Sequence, residues 1–249
     1  MLDVRNAWRS RTVVPAGALG SVRNASDPGS LKKNERSCYF TLVSTPTPGG
    51  KGAASRELIL SRAYELARED GLEGLSIGAV AQQAGMSKSG VFAHFGSREH
   101  LQLALLESVA ARFLEFVKGP ALREPRGLPR LRKMAERWSE WGRIHQQGCV
   151  LLSAAVEYDG RPGALHDCVL RQQADWRNEL RRAIKLAVEA GHLRTDTDAT
   201  QLAFEIYSLM LGLHHDGGLF GYEEARRLAD AGLERLFASY RPAASEENR

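Results

Sequence analysis

LSIGAVAQQAGMSKSGVFAHFGSREHL, running from Leu75 to Leu101, is the stretch whose spacing decides the fold. Ser76 is placed to cap a short helix that turns Ile77, Val80, Ala81 and Ala84 inward. Gly85 breaks that helix, Ser87 caps a second through Phe95, and Ser97 caps a third. Two short helices crossing steeply need three things: a small residue at the contact, a glycine where the turn needs positive φ, and an apolar anchor beneath the second helix. Ala81, Gly85 and Val91 supply these in order, which predicts a helix-turn-helix.

The second helix of such a motif enters the DNA major groove with its N-terminal residues leading. Lys88, Ser89, Gly90, Phe92 and His94 are therefore expected to face the DNA or lie beside it, with Lys88 and Ser89 reaching base edges or nearby phosphates. Gly90 costs about 1 kcal/mol of helix stability relative to alanine. It either lets the backbone approach the groove floor or is merely tolerated. Ser76 and Ser97 sit where free backbone N–H groups make phosphate sites, and Arg98 adds a positive charge beside one of them.

Upstream, Ile59, Ala63, Leu66 and Ala67 form an apolar stripe at helical spacing, closed by Gly71. The first 54 residues are different. They are rich in Ser, Thr, Pro, Gly and Arg without periodicity, and Ser44 to Gly52 (STPTPGGKG) reads as a linker. This predicts a disordered basic extension over 1–54. The chain's net charge of +4 comes from that extension, because residues 55–100 carry five basic and six acidic side chains. Bulk charge is therefore a poor argument for DNA binding, and residue placement has to carry it.

The Leu75–Leu101 run, extended back through RELILSRAYELAREDG (Arg56 to Gly71), resembles the DNA-binding domain of the TetR family. The resemblance implies a three-helix DNA-binding head over 55–101 and a helical ligand-binding and dimerisation domain over 102–241, ahead of a disordered tail at 242–249. It places the family's recognition-helix aromatic at Phe92, its histidine at His94 and the basic residue opening the fourth helix at Arg98. Phe92 stands where tyrosine is common, losing a hydroxyl contact to phosphate. Gly78 and Ala93 replace frequently polar positions.

Beyond the head, Ser97 opens a helix to about Lys118, which Gly119-Pro120 and Glu124-Pro125 should stop. Five further helices are expected: Leu128 to His145, Cys149 to Tyr158, Pro162 to Ala190, Thr197 to His215 and Tyr222 to Tyr240. Pro162 would occupy a first turn and Gly191 a C-terminal cap. No alternating strand pattern appears, so the fold class is all-α.

Trp138, Trp141 and His145 on one helix, and Tyr207, Met210 and His214 on another, are candidates to line a ligand pocket, although such stripes also build ordinary cores. Glu157, Asp159 and Asp175 would pair with a cationic ligand if buried, and are solvated otherwise. Leu202, Ile206, Leu209, Leu213, Leu228, Leu233 and Leu236 would form a four-helix interface between two copies, or serve one copy's core. His166 and Cys168 are two apart and point to different sides of a helix, so no metal site is expected. Cys38, Cys149 and Cys168 read as reduced thiols in the cytoplasm.

The sequence thus describes a homodimeric transcriptional regulator, without cofactor, metal, membrane span or catalytic residue. It would bind a palindromic operator in double-stranded DNA as a repressor, and an unknown small-molecule ligand would release it. The alternatives are a DNA-processing enzyme that carries a helix-turn-helix, or a protein-interaction module whose DNA motif is degenerate.

Overall fold

Helix signals in the chain are strong and local, and among residues 50–146 and 148–242, which the computed structural model describes, they produce nine α-helices and no strand. They are α1 (Lys51–Asp70), α2 (Ile77–Ala84), α3 (Lys88–Phe95), α4 (Arg98–Ala121) and α5 (Leu128–Ile144), followed by α6 (Val150–Tyr158), α7 (Ala164–Glu189), α8 (Ala199–Leu219) and α9 (Tyr222–Ser239). Cys38, the extension expected over 1–54 up to residue 49, and the tail from 243 onward lie outside the described residues. The linker reading fails at its end, since α1 begins at Lys51 and takes in Gly52. Glycine is tolerated there because a first turn owes little to intrahelical bonds.

The three serine caps form as read. The hydroxyls of Ser76, Ser87 and Ser97 accept the backbone N–H of Ala79, Gly90 and His100 at 3.1, 3.0 and 3.0 Å. Gly85 adopts φ +64°, and the N–H of Met86 closes onto the Ala81 carbonyl at 2.9 Å. Val80, Ala81, Val91 and Phe95 are buried where α2 and α3 meet, against Ile59, Leu60, Ala63 and Ala67 of α1.

Pro120 does not end α4, which continues to Ala121. A proline cannot donate to the carbonyl four residues back, here Phe116. Arg137 of α5 donates its Nε to that carbonyl at 3.4 Å and lays its guanidinium over the Phe116 ring at 3.8 Å. The bond lost inside one helix thus becomes a contact between two. Pro162 also departs from expectation. It lies ahead of α7, which starts at Ala164 behind Gly163. Gly191 does cap α7. At φ +70° its N–H reaches the Val188 carbonyl, and that of His192 reaches Ala187, each at 2.9 Å.

The second half packs around aromatic rings. Phe113 of α4 meets Trp138, Trp141 and Trp176 edge-on at 6.1, 5.5 and 4.8 Å. Most of the leucine series read as an interface serves the chain's own core, with Leu202, Ile206, Leu213 and Leu233 buried. Residues outside that series, Phe204, Leu211 and Leu219, are exposed on α8, and Leu228 of the series itself is exposed on α9. The two α8 sets occupy different faces: Leu202, Ile206, Leu209 and Leu213 recur at helical spacing and turn toward the core, while Phe204 and Leu211, seven residues apart, share another face.

Ile59 is fully buried at the centre of the head. Ile59→Ala is expected to destabilise it by about 3 kcal/mol through lost burial and the remaining cavity. Denaturant melts of the full chain, followed by circular dichroism, measure this.

Candidate nucleic-acid interface and its junction with the helical body

α3 is amphipathic in a functional sense. Val91 and Phe95 face inward, while Lys88, Ser89, Phe92 and Ala93 are exposed and Phe92 keeps 55% of its surface open. Ile77, Lys88, Ser89, Phe92 and Ala93 line a shallow surface recess. The free end of α3 therefore carries the positive pole of the helix, a lysine, hydroxyls and an aromatic ring on one face. His94 is half-buried, its ring 6.3 Å from that of Phe95.

Two glycines acquire reasons that differ from those read in the sequence. A Cβ on Gly78 would stand 3.1 Å from Lys88 Cε, so this glycine gives the lysine stem room to lie along α2. A Cβ on Gly90 would stand 3.2 Å from Ser87 Oγ, the same atom that caps α3. Ser87 Oγ also pairs with Ser89 Oγ at 3.0 Å, which fixes the hydroxyls at the helix entrance.

Arg98 is not a free cation beside Ser97. Its Nη2 donates to the Glu73 carbonyl at 2.5 Å and to Glu73 Oε2 at 3.1 Å. Glu73 in turn accepts the Tyr158 hydroxyl at 2.5 Å. That bond, followed by the Arg98 contact, holds the Glu73 carboxyl below the usual carboxylate range. The residues between α1 and α2 are thereby joined to α6.

Glu157, also on α6, completes this junction. Its two oxygens accept the backbone N–H groups of Leu72 and Glu73, each at 3.0 Å. Gly71 makes the approach possible, because at φ +74° a Cβ would fall 2.5 Å from Glu157 Oε1. From the other side Gln102, buried in α4, donates its Nε2 to the Leu72 carbonyl at 2.6 Å. Sequence reasoning assigned Glu157 to a ligand or to solvent and missed Glu73, Tyr158 and Gln102. Their partners lie 30 to 85 positions away in the chain. Gly71 was a usable signal, since a glycine of positive φ often marks a close approach.

α6 has a second face. With α7 and α8 it borders an open cavity of about 790 Å³, within the usual range for small-molecule sites. Leu152, Val156, Val169, Leu170 and Leu211 form apolar wall, and Gln173, Arg177, Tyr207 and His214 are among its polar members. Of the six pocket candidates, Tyr207 and His214 line this cavity. Trp138, Trp141, His145 and Met210 do not. Trp141 stacks on His145 at 3.9 Å, Trp138 meets Trp176 at 5.1 Å, and Met210 Sδ receives the Ser139 hydroxyl at 3.6 Å. They belong to the interior because large aromatic side chains fill the space where α4, α5 and α7 converge. Burial pushes His214 below the ordinary imidazole range. Among the described residues no three His, Cys, Asp or Glu side chains are grouped to hold a metal ion, and no helix is long and apolar enough to cross a membrane.

Comparison with known proteins places these features in a wider set. Residues 59–105 match the family described as bacterial regulatory proteins, tetR family, and residues 127–233 match the tetracyclin repressor-like C-terminal domain. The HTH-type transcriptional repressor AcnR of Corynebacterium glutamicum is 38% identical over 76 residues. That similarity spans 30% of this chain and 40% of the relative's length. A TetR-family transcriptional regulator from Cytophaga hutchinsonii superposes with a TM-score of 0.68 at 19% identity, covering 79% of this chain and 99% of that one. One from Streptomyces coelicolor gives a TM-score of 0.68 at 19% identity, covering 76% and 97%.

The Glu73 junction has a defined pH dependence. A carboxyl whose folded pKa is depressed contributes stability that is fully present above its ordinary value of 4.5 and is lost as pH falls through the folded value. The melting-temperature advantage of the native chain over Glu73→Gln is therefore expected to be constant near neutrality and to shrink below about pH 4. An advantage independent of pH would contradict this assignment.

Proposed function

The chain belongs to the TetR family of transcriptional regulators, and on that premise we propose that it is a cytoplasmic, homodimeric repressor, released from a palindromic operator by a small-molecule ligand. The observation that carries the DNA-binding part is α3 itself. It is anchored by Val91 and Phe95, capped by Ser87, and open to solvent along Lys88, Ser89 and Phe92. Lys88 and Ser89 are the residues proposed to reach base edges, with Phe92 making apolar contact to thymine methyl groups or sugars. Gly90 and His94 lie on the same short helix and would border the groove. The capped N-termini at Ser76 and Ser97 would take phosphates. Arg98 contributes through the loop that it braces against Glu73.

Dimerisation is proposed through the outward-facing Phe204 and Leu219 on α8 and Leu228 on α9, which one copy leaves uncovered. Two copies would hold their α3 helices about 34 Å apart, one helical turn of DNA. Ligand control follows from α6. Leu152 and Val156 line the cavity, while Glu157 and Tyr158 on the same helix hold the loop of the head. A ligand that favours a displaced α6 would favour heads spaced wrongly for the operator, in proportion to its differential affinity for that state.

Gel-shift titrations on the DNA upstream of the chain's own gene, at stated salt, test the DNA-binding part. Sequence-preferring binding is expected. Lys88→Ala should weaken it by roughly 1–3 kcal/mol while leaving the helical circular dichroism unchanged. Equal affinity for operator and random DNA would exclude this reading.

A further inference from the structure

The polar end of the cavity is built almost entirely from donors. Arg177 Nη1 donates to the backbone carbonyl of Gln173 and to its Oε1, each at 3.1 Å, and the guanidinium lies 3.9 Å over the Tyr207 ring. Because guanidinium only donates, the Gln173 amide must turn its oxygen toward Arg177. The Tyr207 hydroxyl also donates to that oxygen, at 2.6 Å. Both lone pairs of Gln173 Oε1 are then occupied. What this end still offers is the Gln173 amide N–H pair, the remaining guanidinium N–H groups and, as its one side-chain acceptor, the Tyr207 hydroxyl oxygen. No carboxylate among the described residues forms an ion pair with Arg177.

The opposite end differs. On α7, His166 precedes Arg177 by eleven residues, which is about 16 Å of helix. His166 bonds to Asp167 at 3.1 Å, and Asp159 stands near the start of that helix. α8 returns antiparallel to α7, so pairing of Gln173 with Tyr207 places His214 near the His166 level. That end mixes donors and acceptors around imidazoles. Between the two ends the wall is apolar, with Leu152, Val156, Val169 and Leu170.

From this arrangement we propose that the cavity takes an apolar monocarboxylic acid, its carboxylate received by Arg177 and the Gln173 amide and its hydrocarbon body lying along the Val169–Leu170 wall. The proposal rests on the reading of this cavity as the regulator's sensor site. A carboxylate supplies only acceptors and a negative charge, which matches an end of unused donors and an unpaired cation. A neutral alcohol satisfies the donors without the charge. An ammonium brings donors to donors and is repelled. Tyr207 acts as the rigid platform that keeps the guanidinium flat against the wall.

Calorimetric titration of the full chain with decanoate, 1-decanol and decylamine tests the proposal. Decanoate is expected to bind at least roughly tenfold tighter than decanol, the scale of one charge-assisted hydrogen bond, with decylamine weakest. Arg177→Gln should lower decanoate affinity by more than decanol affinity, closing the gap between the two, with the melting temperature in place. Should that variant melt early, Gln173→Leu gives the second reading, expected to lower decanoate affinity more than decanol affinity. Equal binding of decanoate and decanol, a preference that survives Arg177→Gln, or binding of none of the three probes would overturn it. The gel shift of the unliganded chain, run in parallel, separates the two readings. Operator binding without a carboxylate preference overturns the ligand class alone, and absence of operator binding overturns the regulator reading.

Discussion

Glu157 accepts two backbone N–H groups from the loop between α1 and α2, and the geometry of the DNA-binding head depends on that carboxylate. The loop has three other constraints. Gln102 holds the Leu72 carbonyl, Arg98 holds Glu73, and Tyr158 donates to Glu73. Leu72 itself is buried, so its N–H would be costly to leave without a partner. The head is therefore not a bead joined to the body by α4 alone. It is fixed at a second point, by a helix that also walls the cavity.

That double attachment gives the proposed regulation a physical route. A short helix with one face on a ligand and the other on a backbone loop can transmit displacement without any long chain of intermediates. α6 is nine residues long. Val156 borders the cavity, and its neighbours Glu157 and Tyr158 reach the head. A shift of α6 of about 1 Å would lengthen charge-assisted bonds now at 3.0 Å beyond good geometry. Arg98, read from the sequence as a DNA contact, takes part in the same network and carries its effect to the start of α4.

Local features were legible in the sequence. Serine caps, the glycine turn at Gly85 and the anchor Val91 all depend on neighbours within a few positions, and each formed where its spacing placed it. Features set by distant partners were not. Glu157 meets Leu72 across 85 positions, and no periodicity reports such a pairing. Pro120 misled for a related reason, since the carbonyl it frees at Phe116 is taken by Arg137 from another helix. The aromatic stripes told of burial without telling which face would stay open. Trp138 and Trp141 closed into the interior, whereas Tyr207 and His214 reached the cavity wall. The polar end around Arg177 arises only when α7 and α8 are laid side by side.

Hydrogen exchange at the Leu72 and Glu73 amides tests the central claim most directly, comparing the native chain with Glu157→Ala. Both amides should be protected in the native chain and exchange roughly tenfold faster or more in the variant, the scale of one hydrogen bond to a charged acceptor. The amides of Leu105 and Leu106, deep in α4, should keep their protection. Unchanged exchange at Leu72 and Glu73 in Glu157→Ala would contradict the claim that this carboxylate ties the head to α6.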